Sequence, residues 1–139
     1  MAVTRQQVAV FGRLLSQIKS VQQEMALLSK GKPDNPVNKF KVQHINQFLA
    51  EANDLLGELF QPLKGFTQFD DAALPTNSDV VMVLAQYVGA FDRFRHANER
   101  NFGYERRWDL EEQAEDDGFE DDDETEESES DEQDIEEDE

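Results

Sequence analysis

Arginine and aromatic residues alternate between positions 93 and 108. Guanidinium groups pair with phosphates or carboxylates, and aromatic faces stack on nucleic-acid bases. This mixture is typical of a surface that binds single-stranded nucleic acid, and it would also attract acidic residues of the same chain. The candidate residues for such a patch are Arg93, Arg95, Arg100, Tyr104, Arg106, Arg107 and Trp108.

The acidic residues are concentrated at the end of the sequence. The 139 residues include 32 acidic and 13 basic ones, giving a formal net charge of −19. Positions 109–139 hold 21 acidic residues and no Lys or Arg, whereas positions 1–108 hold 11 acidic and all 13 basic residues. We call residues 109–139 the acidic tail. Dense charge with few apolar side chains predicts that this tail is disordered.

The acidic tail is also a candidate binding element. A polyanion competes with nucleic acid for Lys/Arg surfaces, and isolated apolar residues among acids are typical of short docking segments. In composition the tail is similar to the acidic tails of histone chaperones, single-strand-binding proteins and some DNA-mimicking inhibitors. The residues expected to mediate such contacts are Asp116, Asp117, Phe119, Asp121, Asp122, Asp123, Glu126, Glu127 and Ile135.

Catalytic and metal-binding signatures are missing from the sequence. There is no cysteine, and no GxxxxGK[ST], GxGxxG or GxSxG motif. Two sets of residues have helical spacing, but each lies opposite the apolar stripe of its helix and so is expected to face solvent: Asp92, His96 and Glu99 at i, i+4 and i+7, and His44, Glu51 and Glu58 at i, i+7 and i+14. We therefore expect no enzymatic activity, no cofactor and no metal.

Three segments have the hydrophobic periodicity of helices, with apolar steps of three and four residues. The first begins at a capping box formed by Thr4 and Gln7, and the second begins near Asp34-Asn35-Pro36. The predicted buried seams are Phe11, Leu14, Ile18, Val21, Met25 and Leu28 in the first helix; Lys41, Ile45, Phe48, Ala52, Leu55 and Leu59 in the second; and Val80, Leu84, Tyr87, Phe91, Phe94 and Asn98 in the third.

These seams predict an all-α fold, a small up-down-up three-helix bundle with coiled-coil-like packing. We expect helices at about 4–30, 35–61 and 77–102, with an extension of the third helix to 115 left open, and a domain boundary at 108. The connector before the third helix should pack on the body through Phe66, Phe69 and Leu74. A helical hairpin that dimerises through its third helix is the alternative.

The function class follows from charge and from the missing motifs. We expect a non-enzymatic protein-interaction module whose helices dock a protein partner and whose tail engages or shields basic surfaces. The first alternative is a nucleic-acid-binding protein that uses the arginine-rich third helix and is inhibited by its own tail. The second is an assembly subunit, such as a homodimer, that associates through the helix seams. The sequence predicts no membrane segment or signal peptide, and a cytoplasmic location.

Overall fold

The computed structural model describes residues 2–111. It contains three helices, α1 (Arg5–Gly31), α2 (Lys39–Phe60) and α3 (Asn77–Ala97), followed by two short strands, β1 (Glu99–Phe102) and β2 (Glu105–Trp108). The mostly helical character agrees with the sequence, but the strands were not expected. The predicted disorder of the acidic tail and all of its candidate contact residues, from Asp116 to Ile135, lie outside the described residues.

The helix starts are set by side chains that accept hydrogen bonds from free backbone N–H groups. Thr4 and Gln7 form the predicted capping box of α1, and Thr76 and Asp79 form a second one at α3. The prediction for α2 was wrong by several residues. The side chain of Asn38 accepts from the Lys41 N–H at 2.8 Å, so α2 begins after position 38.

Most of the predicted seam residues are buried. All six in α3 are buried, and in α1 only Val21 and Leu28 are not fully covered. In α2 the seam is displaced, because Leu59 is 74% exposed and Lys41 is half-buried. The residues that α2 buries are Val42, Ile45, Phe48, Leu49, Ala52 and Leu56.

The contacts at the helix ends give the direction of each helix. The Asn77 N–H at the start of α3 donates to the Asn35 carbonyl in the α1–α2 loop at 2.9 Å. At the opposite end, the Phe94 ring contacts Phe11 near the start of α1 and Phe60 at the end of α2, with centroids 5.9 and 5.5 Å apart. Hence α3 runs antiparallel to α1 and parallel to α2. The up-down-up order was wrong, because the connector carries the chain from the end of α2 back to the end at which α2 begins before α3 starts.

Amide side chains fasten this connector along α2. Asn46 exchanges two hydrogen bonds with the backbone of Phe69, each 2.9 Å long. Asn53 donates to the Thr67 carbonyl at 3.0 Å and accepts from the Tyr87 hydroxyl at 2.7 Å. Burial raises the pKa of that hydroxyl, because ionisation would place a charge in the core. The connector packs as predicted through Phe69 and, in part, through Phe66, whereas Leu74 is 36% exposed.

All three pairs of helices are in contact around one apolar core, and the most extensive contact is between α1 and α3. α3 buries its predicted seam within the chain, and the alternative of a hairpin that dimerises through α3 stays a prediction. Among the helices of residues 2–111, none combines the length and apolar character that crossing a bilayer requires.

Gly57 interrupts α2 one turn before the helix ends. Its φ of 68° and ψ of −179° lie in a region that residues with a Cβ rarely adopt. We expect Gly57→Ala to lower the free energy of unfolding by about 1–2 kcal/mol. A Cβ added at this position would meet no atom within 4 Å, so the cost is conformational rather than steric.

Gly12 provides the matched control for this change. It lies in the regular part of α1, and a Cβ there would also meet nothing within 4 Å. Gly12→Ala should therefore raise the free energy of unfolding by about 0.5–1 kcal/mol. Urea titration of both variants checks the pair, and equal effects of the same sign would contradict the assigned conformation of Gly57.

Candidate functional site at the arginine hairpin

The arginine-rich segment forms a β-hairpin rather than a continuation of α3, so the predicted extension beyond Ala97 is wrong. The helix ends at its C-cap residue Asn98, whose backbone leaves helical geometry at φ −111° and ψ 16° and whose buried side chain donates to the Phe94 carbonyl at 2.8 Å. Gly103, with φ 71°, then begins a two-residue turn of the kind that suits antiparallel strands. We call residues 99–108 the arginine hairpin.

The register of the two strands divides their side chains between two faces. Glu99 pairs with Trp108, and Arg100 pairs with Arg107. Side chains of directly paired residues lie on the same face, and successive residues alternate. One face therefore presents Glu99 and Trp108 to the helices, and the other presents Arg100 and Arg107 away from them.

Trp108 anchors the hairpin to the core. Its ring packs edge-on against Phe11, with ring centroids 4.9 Å apart, and its centroid lies 6.3 Å from that of Phe94. The guanidinium carbon of Arg95, a residue of α3, lies 5.6 Å from the indole centroid. Trp108 is therefore half-buried and already has aromatic partners, which contradicts its expected role as a free stacking ring. Tyr104, at the hairpin tip, is the fully exposed aromatic residue.

Glu99 holds two of the arginines by ion pairs. Arg95 Nε donates to Glu99 Oε2 at 2.8 Å, and Arg106 Nε lies 3.4 Å from Oε1. Arg106 also donates to the His96 carbonyl at 3.2 Å. The Arg95 hydrogen bond, followed by that of Arg106, lowers the pKa of the Glu99 carboxyl. These two arginines are thus positioned, and partly neutralised, by one carboxylate at the junction of α3 and the hairpin.

We expect Glu99→Gln to lower the free energy of unfolding at pH 7 by about 1 kcal/mol, since it removes two charge-assisted contacts at a mostly covered side chain. The folded-state pKa lies below the ordinary value of 4.5. The stabilisation is therefore present above pH 4.5 and is lost as the pH falls through the lower folded-state pKa. The two proteins should converge in urea titrations at acid pH.

Glu51→Gln is the control, because it removes an ion pair with Arg13 in which both side chains are about half exposed. It should cost only a few tenths of a kcal/mol. A Glu99→Gln effect that is just as small, or one that persists unchanged at pH 2.5, would refute the proposed contribution of the Glu99 carboxylate.

The outer face of the hairpin places two like charges opposite one another. The guanidinium carbons of Arg100 and Arg107 lie 4.9 and 4.1 Å from the centroid of the Phe102 ring. Cation–π attraction favours both contacts, but directly opposed like charges disfavour the strand pairing. Asp109 offsets one of them, with Oδ1 3.4 Å from Arg100 Nε. Within residues 2–111, Arg107 forms no ion pair.

A surface cavity of about 290 Å³ lies beside this hairpin. Its lining residues are Arg95, Arg106, Arg107, Trp108 and Leu110. Arg95 and Arg106 are the two arginines that pair with Glu99, whereas the Arg107 guanidinium lies over Phe102 on the outer face. Guanidiniums bind carboxylates and phosphates through paired N–H groups. The cavity can therefore hold an anionic group that carries an adjoining apolar part.

The structure brings most of the predicted patch together but changes the role of its members. Arg95, Arg106, Arg107 and Trp108 line the cavity, and Arg100 lies on the outer face of the hairpin. Arg93 lies on α3 outside the cavity lining, and Tyr104 projects from the tip. The sequence reasoning missed Leu110 and Asp109, which had been assigned to the tail. It also missed the signal of a Gly-X turn between two alternating segments, which would have indicated the hairpin.

Residues 109–111 belong to the folded body. The Val3 N–H donates to the Asp109 carbonyl, and the Glu111 N–H donates to the Val3 carbonyl, both at 2.8 Å. The Asp109 N–H also donates to the Asn98 carbonyl at 2.7 Å. The expected boundary at position 108 therefore divides a paired segment that continues to Glu111.

Within residues 2–111, no three His, Asp or Glu side chains form a group that could hold a metal ion. Comparison of the chain with protein-family models, with curated proteins and with solved structures found no match.

Proposed function

We propose that this protein is a non-enzymatic interaction protein whose acidic tail binds a basic surface on a protein partner. The observation that carries the proposal is the separation of charge along the chain. Positions 1–111 contain 13 basic and 13 acidic residues, so the whole formal charge of −19 belongs to positions 112–139. Backbone hydrogen bonds at Val3, Asp109 and Glu111 fix the point from which this charge leaves the body.

This arrangement favours electrostatic capture of a partner. A concentrated negative charge raises the rate of encounter with a positive surface, and a charge-balanced body adds no opposing field at long range. Exposed charges are screened within roughly 8–10 Å at ordinary ionic strength. Binding to the partner should therefore weaken steeply as salt is added.

The helical body offers a second contact for the same partner. At the end remote from the hairpin, a groove of about 200 Å³ lies between α1 and α2, lined mainly by Val21, Met25, Phe40 and Ile45. The Phe40 ring is 74% exposed, and Leu27 nearby in α1 is 73% exposed. Exposed apolar side chains gathered at one end are typical of a protein-binding surface. They support the docking role proposed for the helices.

The test measures binding of a fluorescent lysine-rich peptide to the full chain by anisotropy across a salt series. A triple variant, Asp121→Asn, Asp122→Asn and Asp123→Asn, should weaken binding roughly 3- to 30-fold at low salt, at a few tenths of a kcal/mol per lost exposed ion pair. The difference should shrink as salt rises.

The matched control removes three exposed acidic charges from the body instead, with Asp34→Asn, Glu58→Gln and Asp71→Asn. It changes the net charge equally and should leave peptide binding nearly unaltered. Equal weakening by both triple variants, or no binding by the full chain at low salt, would refute the role of the tail.

A second candidate function is binding of single-stranded nucleic acid by the arginine hairpin. It is supported by the full exposure of Tyr104 at the hairpin tip and by the two guanidiniums over Phe102. Tyr104→Ala should then weaken binding of a labelled oligonucleotide about 5- to 100-fold, as expected for loss of one stacking ring. No oligonucleotide binding at 20 mM salt, either by the full chain or by its Asp121→Asn, Asp122→Asn and Asp123→Asn variant, would eliminate this candidate.

A further inference from the structure

We infer that the arginine hairpin is an intramolecular docking site for the segment Asp116–Asp123 of the chain's own acidic tail. This inference goes beyond the proposed partner binding and does not depend on it. It concerns what the hairpin binds when no partner is present.

The first argument is the charge on the outer face of the hairpin, where the register places Arg100 and Arg107 with Phe102 and Glu105, and where Glu105 forms no ion pair with either arginine. Arg100 and Arg107 are paired directly across the two strands, and both guanidiniums lie over the same Phe102 ring. Opposed like charges weaken strand pairing unless an anion lies near both. Asp109 reaches Arg100 at 3.4 Å, but no carboxylate within residues 2–111 pairs with Arg107. The hairpin therefore has capacity for a further anion.

The second argument is that an acidic residue of the body just before position 112 already pairs with the outer face. Asp109 lies three positions before Glu112, and its carboxylate pairs with Arg100. The segment Asp116–Asp123 contains six more carboxylates within eight positions. They belong to the same chain and have the same chemistry, so the described contact of Asp109 is the beginning of the interaction that we infer.

The third argument is the composition of the cavity beside the hairpin. Arg95 and Arg106 give it positive charge that Glu99 neutralises in part, and Trp108 and Leu110 give it apolar surface. The segment Asp116–Asp123 places one aromatic ring, Phe119, among its carboxylates. An acidic segment with a single apolar side chain matches a cavity that combines guanidiniums with an indole. A purely polyanionic ligand would leave the apolar surface uncovered.

The fourth argument is reach. Leu110 lines the cavity, and Glu111 is fixed by its hydrogen bond to Val3. A chain advances at most about 3.5 Å per residue, so the five steps from Glu111 to Asp116 can span up to about 17 Å. The tether therefore allows the segment to reach the hairpin. A tether this short gives an effective concentration in the millimolar range, which favours binding within one chain over binding between chains.

If the tail docks on the arginine hairpin, external ligands must compete with the tail for the hairpin and with the hairpin for the tail. A basic protein that captures the tail must first release it from the hairpin, and an external anion gains the hairpin only when the tail leaves. A basic partner that binds the tail would uncover the arginine hairpin, and an anion that binds the hairpin would release the tail. Docking of the tail thus lowers the apparent affinity of the chain for both ligands.

The test uses energy transfer from Trp108, the one tryptophan of the chain, to a label at a single introduced cysteine. The chain has no native cysteine, so Thr125→Cys can carry a thiol-reactive naphthalene acceptor just beyond the docking segment. We expect strong transfer at 10 mM salt, falling at least about twofold at 1 M, where the screening length is roughly 3 Å. A tail that is not docked would contract as salt screens its self-repulsion, so transfer would rise instead.

Charge-matched variants locate the site in the labelled chain. Arg100→Gln with Arg107→Gln should lower transfer at 10 mM salt to the value found at 1 M. Lys30→Gln with Lys32→Gln removes the same charge at the remote end of α1 and should leave transfer unchanged. The helical circular dichroism signal shows that each variant is folded. A triple variant with Asp121→Asn, Asp122→Asn and Asp123→Asn leaves the hairpin unaltered and should lower transfer at 10 mM salt in the same way.

Three results would overturn the inference: transfer that rises with salt, equal effects of the arginine and lysine pairs, or transfer that falls on dilution and so reports contact between chains. No peptide or nucleic acid is present in this experiment. Failure of lysine-peptide binding would therefore leave its result intact, and failure of the docking would leave the proposed partner binding intact.

Discussion

Replacement of Phe11 by alanine should lower the free energy of unfolding by about 3–5 kcal/mol, the largest effect of any single change considered. The Phe11 side chain is 4% exposed, and its ring meets Phe91 at 5.1 Å and Trp108 at 4.9 Å. It therefore joins α1 both to the end of α3 and to the arginine hairpin. Its removal leaves a cavity where all three meet.

Phe40→Ala is the control for Phe11→Ala, because it removes the same side chain from a site where the ring is 74% exposed. It should cost less than about 1 kcal/mol. Urea titration followed by circular dichroism measures both, and Trp108 fluorescence should change only in the Phe11 variant. If that variant does not fold, Phe11→Leu should still cost more than Phe40→Ala. Equal costs for the two sites would contradict the central position of Phe11.

The second large effect is expected at Asn46, where alanine should lower the free energy of unfolding by about 2–3 kcal/mol. Asn46 forms two 2.9 Å hydrogen bonds with the backbone of Phe69, which is 8% exposed. The change leaves a covered N–H and a covered carbonyl without these partners, and each such loss costs about 1–3 kcal/mol. The connector would separate from α2 at the point where Phe69 enters the core.

Gln47→Ala removes an exposed amide one position further along α2 and should cost less than about 0.5 kcal/mol. Hydrogen exchange of the Phe69 amide gives a local readout beside global unfolding. Unchanged protection of that amide in Asn46→Ala would refute the role of the side chain.

The parts of the fold that could be predicted are those set by local sequence. In α3, the steps from Val80 to Asn98 follow one apolar stripe, and every residue of that stripe is buried. The capping box at Thr4 also specified the start of α1 correctly. In both cases neighbouring residues in the sequence determine the structure, so no tertiary information was needed.

The direction of α3 and the arginine hairpin depended on contacts that the periodicity does not encode. The amide of Asn46 fastens a connector whose path cannot be read from its apolar content, and that path reverses the expected direction of α3. The apolar spacing through Phe94 and Asn98 favoured a helix that continues toward Trp108. In the structure Asn98 ends the helix and Gly103 turns the chain, so Trp108 returns to the core from a strand.

The sequence predicted which residues make up most of the candidate site, but it did not predict how their side chains are arranged. The arginine content predicted one shared patch, whereas the structure places Arg95 and Arg106 on Glu99 and places Arg107 with Arg100 over Phe102. The sequence did not show that Glu99 holds Arg95 and Arg106, or that Trp108 faces the core. Those relations arise from strand register, because a pairing shift of one residue would exchange the inner and outer faces.

The parallel direction of α2 and α3 has a consequence for how quickly the chain folds. In an up-down-up arrangement, each helix packs first against its neighbour in sequence. Here the principal contact joins α1 to α3, and Phe11 and Phe91 lie 80 positions apart. Closing so long a loop costs entropy before any burial offsets it, and folding slows as the average sequence separation of contacts increases. We therefore expect early helix formation, followed by a slower step in which α3 reaches α1.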